Sequence, residues 1–193
     1  VIIAAGPLAS TAIEAALSAL IGPERLSFFD AAAPIVAAES VDGTRAFSAS
    51  RRDRGGADYL NCPLTREEYD AFVGELVAAN RVHAKDFERK ELFNACQPIE
   101  EVARTGNDAL RFGALKPVGL TDPETGRWPW AVVQLRAETA ARTAYNLVGF
   151  QTNLTFGEQR RVFRLIPALA DADFLRYGVM HRNSFVDAPR ILT

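Results

Sequence analysis

A mixed α/β fold, a mixed β-sheet with helices packed on it, is the architecture the sequence predicts. Three observations carry the prediction. The 193 residues are 48% hydrophobic and 24% charged, the composition of one well-packed domain, or of a domain with a small lobe. Capped segments with helical apolar spacing alternate with short apolar runs of strand type. Between two of those runs stands Asp122-Pro123-Glu124-Thr125-Gly126, a turn sequence that signals a hairpin.

The elements follow in order. "VIIAAG" reads as a buried strand of the kind found inside a parallel sheet. It starts without methionine or lead-in, and "DAPRILT" ends as abruptly, so a chain cut from a longer protein is expected. Thr11 and Glu14 make a capping box for a helix with Ile13, Leu17 and Leu20 on one face, stopped by Gly22-Pro23. "RLSFFDAAAPIV" is a short strand, an Ala/Pro turn and an extended segment. "RAFSASRRDRGGADYLNCP" is a strand, an Arg-rich loop with Gly55-Gly56, and a second strand ending at Cys62-Pro63. A second capping box, Thr65 with Glu68, opens a helix to about Asn80 with Phe72, Leu76 and Val77 on one face.

"VHAKDFERKELFN" is ambiguous. Pro98 then stands at the first position of a helix that Gly106 closes, with Glu100 and Glu101 in its first turn, where acids suit the helix dipole. "WAVVQLR" is the returning strand of the hairpin, and "TAYNLVGFQTNL" a further strand with Gly149 as a bulge. Gly157 to Ile166 is helical, with Val162, Leu165 and Ile166 inward and arginines outward. "DFLRYGVMHRNSFVDAP" finishes as a strand and a polar loop.

Composition narrows the chemistry. The formal net charge is −2, so no global basic field advertises nucleic acid. Of the 22 basic side chains only three are lysine, and arginines cluster at Arg51, Arg52 and Arg54 and again at Arg160, Arg161 and Arg164. Genomic base composition explains an arginine excess; phosphate recognition explains it equally in kind. Two cysteines and two histidines make neither a disulfide framework nor a zinc pattern. With no membrane-length apolar run and no basic-led signal peptide, a reducing cytoplasm is expected. G-x-G-x-x-G, P-loop and G-x-S-x-G patterns are absent from the chain.

Cys96, in "ELFNACQPIEEVARTG", is the candidate nucleophile. A thiol just ahead of a helix N-terminus meets N–H groups and a positive dipole end, both of which favour the thiolate, and Arg89, Lys90 and Arg104 are near in sequence. Glu100 and Glu101 oppose them, and a small buried hydrophobe is the commoner fate of a free cysteine. Both readings stand on the residues alone. Cys62 reads as structural or pocket-lining.

Seven stretches, in order along nearly the whole chain, resemble one family: "AAGPLAS", "DYLNCPLTREEY", "LFNACQPIEE", "LRFGALKPVGL", "WAVVQLR", "YNLVGFQTNLTFGEQRRVFRLIP" and "RYGVMHRNSF". It is the folate- and FAD-dependent tRNA (uracil-5-)-methyltransferases, often called TrmFO, relatives of the GidA-type flavoproteins. The resemblance implies an inserted domain of a Rossmann-type flavoprotein. It also implies an enzyme that takes a methylene group from methylenetetrahydrofolate, is reduced by NAD(P)H through FAD, and converts a T-loop uridine of tRNA to 5-methyluridine.

Two cysteines serve in that family. One lies in the F-x-x-C-x-P-I-E pattern, here Cys96; the other belongs to a flavin domain this chain lacks. Which attacks uracil and which handles protons is left open by the resemblance. Expected boundaries are 1–10 for the edge of the flavin domain, 11–180 for the inserted domain and 181–193 for the return. Gly6, His181, Arg182 and Asn183 are candidate cofactor-binding residues, and the two arginine clusters candidate RNA contacts. Without a phosphate-binding turn the chain by itself is expected to bind FAD weakly or not at all. Ribosomal RNA as substrate, a non-catalytic RNA-binding module and a partner-assembly module are the competing readings. A thiol oxidoreductase is disfavoured because no C-x-x-C is present.

Overall fold

The computed structural model describes residues 10–22, 26–53, 59–82 and 97–186. Its helices are α1 (Thr11–Ile21), α2 (Arg66–Ala78), α3 (Ile99–Arg104), α4 (Ala109–Phe112) and α5 (Phe156–Phe163). Its strands are β1 (Leu26–Ala32), β2 (Ile35–Ala37), β3 (Phe47–Ser48), β4 (Tyr59–Leu64), β5 (Ala131–Ala137), β6 (Ala144–Leu147), β7 (Phe174–Arg176) and β8 (Val179–Val186). The expected mixed α/β class is what is observed. Its sheet is more uniform than expected: six strands in the order β3-β4-β5-β6-β2-β7, with each ladder antiparallel. β1 and β8 form a separate two-stranded antiparallel ribbon.

The centre of the sheet is β5, whose residues Ala131 to Leu135 are all buried, so both of its faces are covered. One face, with Val133 and Leu135, joins Cys62 and Leu64 of β4 in the apolar core under the helices. That core is filled by Tyr69, Phe72 and Leu76 of α2, Ile99 of α3, Phe150, and Val162 and Phe163 of α5. Phe150 stands between Phe72 (ring centroids 6.0 Å) and Phe163 (5.2 Å, edge-on), the offset geometry that aromatic quadrupoles favour.

The opposite face carries a polar seam. Gln134 donates to Asn61 Oδ1 (2.9 Å), and Asn61 Nδ2 donates to the Phe47 and Ala49 carbonyls. Residues 115–120 cross here, held by the Val132 N–H on the Leu115 carbonyl (3.0 Å). Because Val132 turns its N–H away from β4, Pro63 opposite it is not asked for a ladder bond, which is how a proline sits inside β4.

Several local expectations are corrected. The cap of α1 is Ser10, whose hydroxyl accepts from the Ile13 N–H, and not Thr11; Leu20 is exposed. The Thr65–Glu68 capping box is present as expected, on a helix that stops at Ala78. Pro98 is the N-cap of α3 rather than its first residue. The Asp122–Gly126 turn exists, closed by Gly126 N–H to Asp122 O (2.8 Å), but among the described residues no strand lies between β4 and the turn. So β5 pairs with β4 and, across the 138–143 connection, with β6 as its hairpin partner.

Gly149 is a turn after β6 and not a bulge. Its φ of +80° suits glycine, and a Cβ there would lie 2.7 Å from that of Ala114. α5 ends at Phe163, and Leu165 is partly exposed. The segment expected as a polar loop at 179–186 is strand β8. "VIIAAG" and all of the ambiguous "VHAKDFERKELFN" after Val82 lie outside the described residues.

Candidate active site

Cys96 itself, like Gly6 and Arg54, lies outside the described residues; what the structure shows is the frame on either side of 83–96. Both flanks are fastened to one short stretch, Gln151–Leu154. On the near side Arg81 makes an isolated bridge to Leu154, and the Val82 N–H donates to the Asn153 carbonyl (2.8 Å). Asn153 Nδ2 returns a bond to the Val82 carbonyl (3.0 Å). On the far side the Ile99 N–H donates to the Gln151 carbonyl (2.7 Å). An Arg81–Glu101 ion pair ties the flanks to each other. The chain therefore leaves at Val82 and returns at Gln97 beside the same strip of backbone.

Glu100 completes this frame. Its side chain is fully buried; the carboxylate accepts from the Thr152 hydroxyl (2.9 Å) and the Asn153 N–H (2.7 Å). Burial pushes its pKa above the ordinary carboxylate range, and those two donors act against the rise. Glu101, one residue on, is half-exposed and holds Arg81. Two acids that read from sequence as one dipole-matching pair thus do different work. The only sequence signal for Glu100 was its place in the patterned "QPIEE".

Cys62 is fully buried in the apolar core, and burial pushes its thiol up to about 12, so it stays a neutral thiol at physiological pH. That agrees with the structural role expected of it.

His181, Arg182 and Asn183 lie on β8, in register with Asp30, Phe29 and Phe28 of β1. The start of β8 is clamped by a residue the sequence did not single out. Buried Gln159 on α5 donates to the carbonyls of Gly178 and Leu154 (both 2.8 Å) and accepts from the Gly178 N–H (2.7 Å). Beside the clamp runs an aromatic ladder: Phe174 stacks on Tyr177 (5.3 Å), and Tyr177 on exposed Phe156 (5.0 Å). Among the described residues no group of three His, Cys, Asp or Glu could hold a metal ion.

The arginine clusters divide by what they touch. Arg51 donates through Nη1 to the Val118 carbonyl (2.9 Å) and through Nη2 to Gln134 Oε1 (2.8 Å), pinning the 115–120 crossing to the sheet. Arg164 donates to the Ala172 carbonyl (2.8 Å through Nη2). Arg161 is shared between Glu158 (2.7 Å) and Glu75. Arg52 and Arg160 are exposed and have no side-chain partner among the described residues.

Comparison with known proteins places the chain. A solved structure of GidA from Aquifex aeolicus overlaps 83% of this chain and 25% of its own, at 13% identity and a TM-score of 0.49, too loose to carry an argument. The sequence matches are close. A Moorella thermoacetica protein named methylenetetrahydrofolate--tRNA-(uracil-5-)-methyltransferase TrmFO is 59% identical over 192 residues, all of this chain and 44% of that protein. Proteins of the same name from Geobacter sulfurreducens (57% over 192 residues, 99% of this chain) and Caldicellulosiruptor bescii (53% over 193 residues, 100% of this chain) are matched over 44% of their lengths. The chain thus spans less than half the length of these relatives. The family described as "Glucose inhibited division protein A" matches residues 1–193, and to that family the chain belongs.

Proposed function

We propose that the chain is the central part of an enzyme that methylates C5 of a tRNA uridine, with methylenetetrahydrofolate as carbon donor and Cys96 as its thiol. The observation that carries this reading is the 59% identity, over the whole chain, to a protein named for that reaction. The frame around residues 83–96 supports it. The described ends of the segment that carries Cys96 are fastened to one strip, Val82 to Asn153 and Ile99 to Gln151, with Glu100 behind them, and a thiol that must meet a base edge needs such an anchored segment.

Uracil C5 is a weak nucleophile. A thiolate added at C6 places electron density on C5, which then attacks the carbon donor; the C5 proton must leave before the thiolate is expelled. FAD, reduced by NAD(P)H, would supply the reducing equivalents. The described residues do not fit a dinucleotide cradle: β8 meets β1 as an antiparallel ribbon, and no glycine-rich strand-to-helix turn is present. FAD in this reading is held by the remainder of the protein.

The ribbon favours an inserted domain for another reason. β1 carries the chain toward the six-stranded sheet and β8 carries it away, side by side over Leu26–Ala32 and Val179–Val186, as an insertion that leaves and rejoins its host at one place would. Of the domain boundaries expected near residues 10 and 181, the second falls in β8, and the first lies ahead of α1, which stands between it and β1. A tRNA substrate places the protein in the cytoplasm, and among the described residues no helix is long and apolar enough to cross a membrane.

The test uses full-length protein and a tRNA carrying 5-fluorouridine, whose fluorine cannot leave as a proton does. A covalent adduct that Cys96→Ala abolishes assigns the nucleophile. An adduct that persists while methylation stops makes Cys96 a proton carrier. Methylation unchanged by Cys96→Ala overturns the assignment.

A further inference from the structure

Outside the frame of Cys96, α4 and the strand entry at Trp130 enclose a cleft of about 290 Å³. Arg111, Phe112, Lys116, Trp128 and Trp130 line it. The Arg111 guanidinium lies 4.0 Å from the Trp130 ring centroid and 5.6 Å from that of Phe112, while its Nε donates to the Trp130 carbonyl (2.9 Å). Arg66 of α2, ion-paired with Asp70 (3.6 Å), lies 5.1 Å from the Trp130 ring. Phe112 is 71% and Trp128 58% exposed, so neither ring is serving the core. The Trp130 indole N–H is buried without a hydrogen-bond acceptor among the described residues.

Large aromatic rings left in water beside cations, with no acid in the lining, ask for a ligand that is flat and anionic. An apolar protein segment would use the rings but leave Lys116 and Arg111 without opposite charge. An unpaired nucleotide uses both, its base on an aromatic face and its phosphate on the cations. The volume suits a single base. We infer that this cleft holds one unpaired base of the RNA substrate by stacking, with Lys116 at the adjoining phosphate. The inference rests on the proposed RNA-modifying function and adds to it a holding point outside the frame around residues 83–96. Stacking tolerates any base, so the cleft positions the RNA and does not select the uridine.

Binding of unmodified tRNA to the full-length protein, measured at several salt concentrations, tests it. The Phe112→Ala/Trp128→Ala double variant is expected to bind about fivefold to a hundredfold more weakly with an unchanged salt slope. Trp128→Phe, which keeps a stacking face, retains most of the affinity. Lys116→Gln weakens binding and lowers the slope of log K against log salt by about 0.7 to 0.9, the release of one counterion. If wild type binds tRNA and the double variant, with its unfolding temperature intact, binds equally well, the cleft is not an RNA site and the rest of the functional reading stands. If wild type binds no tRNA at any salt, both fall together.

Discussion

Charged side chains behave oppositely in two regions that flank α2. Behind α3, one carboxylate, Glu100, is taken wholly out of water and satisfied by a hydroxyl and a backbone N–H. Between α5 and α2, Arg161, Glu158 and Glu75 form ion pairs at the surface. The difference teaches where charge carries stability in this fold. A buried acceptor whose donors would be stranded by its loss is expensive to remove, whereas a screened surface pair exchanges protein partners for water at little cost.

Glu100→Ala is the most direct way to break that contrast. It strands the Thr152 hydroxyl and the Asn153 N–H and opens space at the root of α3, at a cost of about 2–3 kcal/mol. Urea unfolding of the full-length protein measures it. A loss below about 0.5 kcal/mol would mean that water replaces the carboxylate and that the seam is not a frame.

The same group sharpens the contrast through pH. Its pKa is raised in the folded state, so its contribution is fully present below the unfolded carboxylate value of about 4.3 and is lost as pH rises through the folded value. Glu100→Gln keeps an acceptor for Asn153 and removes the titration. Wild type should therefore gain stability relative to Glu100→Gln as pH falls from neutrality, within the acid-soluble range. A difference that is flat, or that runs the other way, would show that the two donors outweigh burial.

How much of this was legible in the sequence follows from the range of the forces involved. The Thr65–Glu68 box was readable because a cap is a local exchange of bonds across four residues. Glu100 and Arg51 were not, because their partners stand 53 and 83 residues away at Asn153 and Gln134. The hairpin at 122–126 misled for the complementary reason. Its turn chemistry is genuine, but β5 finds its ladder partners in β4 and β6 and lies buried between them. The strand at β8 hid behind polar residues whose pairing partner, β1, lies about 150 residues earlier. The cleft at Arg111 was scattered as Arg66, Arg111, Lys116 and two tryptophans, with no local period to join them.

The smallest effect concerns the arginines of α5, and it separates two neighbours that look alike in sequence. Arg161→Gln should move the unfolding midpoint far less than Glu100→Ala, and added salt should reduce the residual shift, because Arg161 and Glu75 are half-exposed and screened. Its effect on tRNA binding should be smaller than that of Arg160→Gln. A guanidinium already facing Glu158 and Glu75 offers a phosphate little net field and must abandon its partners to reach one. Arg160, exposed and without such partners among the described residues, brings its whole charge, and its loss should lower the salt slope by about one counterion. Equal losses from the two variants would mean that the RNA draws Arg161 out of its ion pairs on binding. The surface pairs would then store that arginine for the substrate, and the contrast with Glu100 would be one of use as well as of depth.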